Sequence, residues 1–232
     1  MKLLAKKKST INDKINLIVR VLFVIAFIET ILTSVLENDY SSIINAFTAV
    51  LGFSLTFIPE AVENITKNRI RFGSGMKIAI VLFIFGSELL GEIRSFYEII
   101  PWWDDLLHSV SGVILGLIGF MLVYSLNESE KSSVNLSPVF VSLFAFCFAL
   151  ACGALWEIFE FSGDRLLNMD MQKFRPPAGT TELVTDSWRY DAGLIDTMTD
   201  IIMDAVSALA VSVLGFIKIK AGKWRKDKLI GK

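Results

Sequence analysis

One histidine and two cysteines in 232 residues leave little room for several familiar chemistries. Cys147 and Cys152 stand in one apolar run at a spacing that points them to different sides of a helix. They are expected as buried thiols, with no disulfide framework. There is no HExxH and no paired ExxH, so a di-iron assignment lacks its usual signature. An excess of either charge is also missing: 23 Lys and Arg stand against 24 Asp and Glu, a net charge of −1. That balance points to no nucleic-acid or acidic partner. No internal repeat at solenoid spacing occurs. No small-residue cleavage site follows the first apolar run, so the basic start "MKLLAKKKSTINDK" reads as a retained signal-anchor.

What the chain does have is long apolar runs. It is 53% hydrophobic with a mean hydropathy of +0.55. Apolar windows fall at roughly 17–36, 41–63, 77–99, 104–126, 138–161 and 194–217, each able to cross a ~30 Å hydrocarbon core as a helix. Barrel strands would need only ~10 alternating residues. The expected fold is therefore an all-α polytopic membrane protein, about six transmembrane helices in one bundle over 17–217. A basic N-terminus (1–16) and a basic tail (218–232) flank it. Lys and Arg gather before the first span, between spans two and three, and after span six, whereas the "ENDY" connection has none. The positive-inside rule then places both termini in the cytoplasm and the loop 163–193 outside, although that loop carries Arg165, Lys173, Arg175 and Arg189.

On this topology the acids converge at the outer side. Glu88 and Glu92 end span three, and Asp104 and His108, four residues apart, begin span four. Glu157, Glu160 and Asp164 share one stripe at the end of span five. Asp196, Asp200 and Asp204 follow i, i+4, i+8 at the start of span six. The bases counted beside them are Arg94, His108 and Arg165. Simpler roles exist for some of these residues. Asp104 and Asp196 stand where a helix begins, a favoured N-cap position. Trp102 and Trp103 suit an interfacial aromatic belt, and Gly112, Gly116, Gly119 and Gly153 suit close helix packing. Glu29 either joins the cluster or pairs with another helix, Glu92 could pair with Arg94, and Glu60 reaches the interface. Capping does not cover Asp200 and Asp204, one and two turns into the membrane, nor Glu157 and Glu160 near a helix C-terminus. An acid at the bilayer centre costs about 2.5–3.5 kcal/mol on insertion scales, so protonation, water or a cation must offset their repulsion.

Carboxylates with one imidazole, offered from several helices, are the ligand set expected for Mg²⁺, Mn²⁺, Zn²⁺ or iron. The candidate ligands are Asp104, His108, Glu157, Glu160, Asp196, Asp200 and Asp204, and the candidate catalytic residues are His108, Asp104, Glu157 and Asp200. His108 is either a ligand or a general base. The long loop "MQKFRPPAGTTELVTDSWRYDAG" is either a surface connection or a lid over the cluster.

At "PWWDDLLH…SG", "LWEIFEF", "DMQ" and "DTMTDIIMDAVSAL" the chain resembles the YjdF-type family of uncharacterised bacterial and archaeal inner-membrane proteins. The matching positions are Trp103, Asp104, His108, Gly112, Trp156, Glu157, Glu160, Asp164, Asp170, Gln172, Asp196, Thr197 and Asp200. More distantly the motif order is similar to VanZ-like proteins, associated with glycopeptide resistance. There Glu160 stands where a Gln is expected, and Asp204 near where an Asn would be. The resemblance implies a multi-pass protein of the plasma or inner membrane, with a suggestion of a cell-envelope role, and names no reaction. The reading that follows is a divalent-metal-dependent enzyme acting on a lipid-linked or envelope substrate, with membrane lipids as its surroundings. The alternatives are a cation- or proton-coupled transporter and a non-catalytic scaffold.

Overall fold

The computed structural model describes residues 10–37, 41–127, 136–175 and 186–222, and every regular element among them is helical. These are α1 (Ile11–Glu37), α2 (Ser41–Leu55), α3 (Ile58–Ile65), and α4 (Ser74–Ile84), which runs into π-helical turns at Phe85–Ile93. There follow the single turn α5 (Phe96–Ile99), α6 (Trp103–Asn127), α7 (Pro138–Leu167) and α8 (Asp186–Lys220). The protein is an all-α polytopic membrane protein. Among the described residues α1, α6, α7 and α8 each contain a segment long and apolar enough to cross a bilayer, and the pair α2–α3, bent by 44°, adds a fifth crossing if it counts as one. The expected third window, 77–99, is filled by α4 and the π-helical turns, 11 and 9 residues end to end. The expected loop 163–193 is shorter than its hydropathy suggests, because α7 continues to Leu167 and α8 starts at Asp186. Helical hydrogen bonding does not stop where apolar side chains do. Most of the two basic flanks, and Pro176, Pro177 and Gly179 of the loop, lie outside the described residues.

The chain divides into two compact units, the first ending at Trp103 and the second beginning at Asp104. In the first, the α2–α3 bend frees backbone groups that lipid cannot satisfy. Arg20 of α1 answers this by donating to Thr56 Oγ1 (3.0 Å) and to the Thr56 carbonyl (3.1 Å), its guanidinium lying over the Phe57 ring. It also approaches Glu60 at 3.6 Å. Glu29 pairs with Arg94 through two hydrogen bonds of 2.9 and 2.5 Å, so it joins another element of this unit. Arg94 therefore serves Glu29. In the π-helical turns the Gly86 carbonyl accepts from Trp103 Nε1 at 3.2 Å. Trp102 stays exposed, as an interfacial anchor would.

The second unit shows why α6, α7 and α8 pack as they do. On α7 the buried positions include Ala145, Ala149, Gly153, Glu157, Glu160 and Asp164, whereas Leu143, Leu155, Ile158 and Phe159 are exposed. Lipid tails are as apolar as leucine, so small and polar side chains take the inner face and large apolar ones face outward. The same logic corrects the cysteines: both thiols are free, Cys147 is exposed and Cys152 only partly covered. Gly119 meets Ala145 on α7, while Gly112 and Gly116 meet Ser207 and Val211 on α8. These contacts run α6 and α8 in the same direction, with α7 opposed. Below the acidic end, Phe120, Val123, Val141 and Ala145 close the interior, with Val211 packed on them. A Cβ at Gly119 would lie 2.8 Å from Ala145 Cα, a backbone atom that cannot step aside. Gly119→Ala is expected to cost about 1–3 kcal/mol by overpacking. Thermal unfolding in detergent should show it against Gly75→Ala, where nothing lies within 4 Å.

Candidate metal centre

Three helices of the second unit bring acids to one end. Asp104 and His108 are one turn apart at the start of α6, Glu157 and Glu160 come from the second half of α7, and Asp196, Asp200 and Asp204 line one face of α8. Burial is deep: Asp200 and Asp204 are 1% exposed, Glu157 3% and His108 6%.

His108 stands at the centre. Its Nε2 lies 3.9 Å from Asp104 Oδ1, 3.8 Å from Glu157 Oε1 and 3.9 Å from Asp200 Oδ2. These separations are too long for hydrogen bonds. They do suit atoms bound to a common ion, since two ligands each ~2.0–2.2 Å from a metal are about 3–4.4 Å apart. Ligand atoms of Asp104, His108 and Asp200 all lie within 4.8 Å of one another. The orphaned atoms are an independent sign. Both oxygens of Glu157 and Oδ2 of Asp200 are buried without a hydrogen-bond partner, as are Glu160 Oε2 and Asp196 Oδ2. Buried polar atoms are rarely left unsatisfied, and carboxylate oxygens gathered in this way suit a cation. Asp104, Asp200 and the imidazole form a donor set that hard or borderline divalent ions accept, and Glu157 Oε1 stands beside it, near His108 but outside that mutual grouping.

The opposite side of the His108 ring is fixed by protein. Asp204 Oδ2 lies 3.3 Å from Nδ1, and Ser111 donates its hydroxyl to Asp204 Oδ1 at 2.7 Å. We assign the ring proton to Nδ1, donated to Asp204, which leaves the Nε2 lone pair facing the three carboxylates. Asp204, one of the residues expected as ligands, thus stands behind the imidazole. Glu160 accepts from Trp156 Nε1 at 2.9 Å through Oε1.

Asp196 is not a helix cap. It lies well inside α8, which begins at Asp186, and its Oδ1 is 3.5 Å from the Lys173 ammonium. Asp104 lies in the first turn of α6, and its Oδ2 accepts from the same ammonium. Lys173 of the loop is therefore a base beside these acids, and Arg165 approaches the Phe161 ring. Burial works against the charge of Lys173, but Asp104 and Asp196 more than offset it and hold the amine above its ordinary pKa. The loop is drawn back to place it. The Asp164 carboxylate accepts the backbone N–H groups of Met171 (2.7 Å) and Gln172 (3.0 Å), and the Gln172 amide donates to Thr197 Oγ1 (2.6 Å). The described part of the loop thereby returns to α8. A surplus of acids beside one loop lysine was the signal available in the sequence. What hid it was the fold-back, which depends on backbone donors.

The glycines have a second use that residue spacing did not reveal. A Cβ at Gly153 would overlap the Asp204 carboxylate, and one at Gly112 would lie 2.8 Å from the Asp204 carbonyl. Their absence lets α8 come close enough for Asp204 to reach His108.

The family described as "Predicted membrane protein (DUF2238)" matches residues 17–221. A relative from Thermotoga maritima, named only as an uncharacterized protein, is 26% identical over 171 residues, which is 73% of this chain and 76% of the relative. No solved structure matches.

Proposed function

Since the chain belongs to the DUF2238 family of predicted membrane proteins, whose description names no reaction, we propose a function from the centre itself. It is a divalent-metal-dependent membrane enzyme acting on a lipid-linked or cell-envelope substrate. The ion is held by Asp104, His108 and Asp200, with Glu157 beside them. The observation that carries this reading is the ring of three carboxylate oxygens 3.8–3.9 Å from His108 Nε2, two of them buried with no hydrogen bond.

An ion bound there would polarise a phosphoryl or carbonyl oxygen, or activate water. The chain's own residues do the rest. Asp204 and Ser111 hold the imidazole in one orientation, so His108 is a ligand and its role as general base falls away. Glu160, anchored by Trp156, keeps one buried oxygen unpaired and is the group left to accept a proton. The centre lies at one end of the helices, where a lipid-borne group can arrive from the bilayer. The distribution of Lys and Arg favours the outer leaflet of a plasma or inner membrane, with both termini cytoplasmic. The motif likeness to VanZ-like proteins suggests an envelope role. Transport is the weaker reading, because Phe120, Val123, Val141 and Ala145 seal the interior beneath the acids.

Elemental analysis of the purified full-length protein tests the proposal. About one equivalent of a divalent metal is expected. Chelation should lower the melting temperature and re-addition restore it, as for any ligand bound only by the folded state. Protein that stays metal-free under metal-replete conditions, with a melting temperature indifferent to chelator, would overturn it.

A further inference from the structure

The two oxygens of Asp104 have different settings. Oδ1 faces His108 Nε2 at 3.9 Å, while Oδ2 accepts from the Lys173 ammonium. The same ammonium is 3.5 Å from Asp196 Oδ1, and Asp196 Oδ2 is buried without a hydrogen-bond partner. One carboxylate is therefore shared between two adjoining cation positions. Two-metal centres have this arrangement, with ions about 3.5–4 Å apart. Here one of the two positions already contains a positive charge supplied by the chain.

Lys173 has not reached that place by chance of a long side chain. Its backbone is in the left-handed region at φ 46°, which side-chain-bearing residues rarely adopt. The two residues before it are tied down by Asp164, and Gln172 is tied again by Thr197. An ammonium is a compact point charge with no need of a fixed coordination geometry, so it can stand where a metal ion would. We propose that the Lys173 ammonium fills a second cation position, formed by Asp104 and Asp196, and restricts the centre to one divalent ion. The inference rests on the metal reading of the neighbouring position. It adds that a second divalent ion is the ligand that the Asp104–Asp196 position takes once Lys173 is gone.

Full-length protein in detergent, dialysed against Mn²⁺ as the sole divalent metal, gives the test by metal analysis and electron paramagnetic resonance. Lys173→Met should bind one Mn²⁺ more per chain than the unaltered protein and show the signal of an exchange-coupled pair. Lys173→Arg should match the unaltered protein, and Lys173→Met combined with Asp196→Asn should lose the gain. Lys173→Gln serves equally if Lys173→Met aggregates. No gain in Mn²⁺ on removing the ammonium would overturn the proposal. The count for the unaltered protein judges the metal reading separately: zero there sinks that reading, whereas the difference between the two proteins decides the role of Lys173.

Discussion

Asp200→Asn is expected to lower divalent-metal affinity by at least ~100-fold, above the ~10–100-fold typical of an outer-shell partner. It should at the same time raise the melting temperature of the metal-free protein. Both effects have one origin. Asp200 is 1% exposed, and its Oδ2, 3.9 Å from His108 Nε2, has no hydrogen-bond partner. Without an ion, ionising that carboxylate beside Asp104 and Glu157 would cost several kcal/mol. An amide has the same shape and removes the charge, so the apo state gains about 1–3 kcal/mol, a shift of a few degrees. With metal supplied, the variant should show little of the stabilisation that the unaltered protein acquires. His108→Ala should lose metal in the same way but without the apo gain, because it opens a cavity and removes the partner of Asp204 Oδ2. Titration calorimetry and thermal unfolding, each with and without metal, separate these outcomes. Unchanged metal affinity in both variants would remove the centre from consideration.

The second large effect comes from a residue with no side chain. At Gly153 an added Cβ would lie 2.9 Å from Asp204 Cγ and closer still to Oδ2. Something must move, and the group with freedom to do so is the Asp204 carboxylate, which would leave His108 Nδ1. Gly153→Ala should therefore destabilise the protein by about 1–3 kcal/mol and weaken metal binding by ~10–100-fold. Here stability and affinity fall together, whereas Asp200→Asn drives them apart. Gly116→Ala is a matched control: its Cβ would meet Val211 Cγ1 at 3.2 Å and Cβ at 3.4 Å, with Ala208 Cα at 3.9 Å, all remote from the imidazole. Affinity retained in Gly153→Ala would show that Asp204 does not orient His108.

Much of this was legible in the chain. Runs of about 20 apolar residues reveal spans because the bilayer imposes their length. The i, i+4, i+8 spacing of Asp196, Asp200 and Asp204 fixes a common face on any helix, so their convergence with Glu157 and His108 follows once antiparallel neighbours are assumed. Other features depend on partners distant in sequence. The bend after Leu55 needs Arg20 to satisfy the Thr56 carbonyl, and the Gly86 carbonyl in the π-helical turns receives Trp103 Nε1. No local pattern announces either. Asp196 does not cap its helix because α8 begins at Asp186, eight residues before the apolar window at 194–217. Lys173 was hidden because a loop lysine on the outer side reads as an exception to a charge rule. Its use emerges only after Asp164 has turned the chain around.

The face of α8 that carries the aspartates is periodic, and periodicity creates an ambiguity of register. A slide of one helical turn, about 5.4 Å, would bring Asp200 to the level of Asp204, or Asp196 to that of Asp200, and the wall of acids would look almost the same. Chemistry alone therefore does not index the helix. The glycines do. At the level of Asp204 alone, Gly112 on one side and Gly153 on the other leave the gap into which this carboxylate and its backbone fit. They act as notches for a repeating key, and they make the position of Asp204, rather than its charge, the datum from which the other two aspartates are placed.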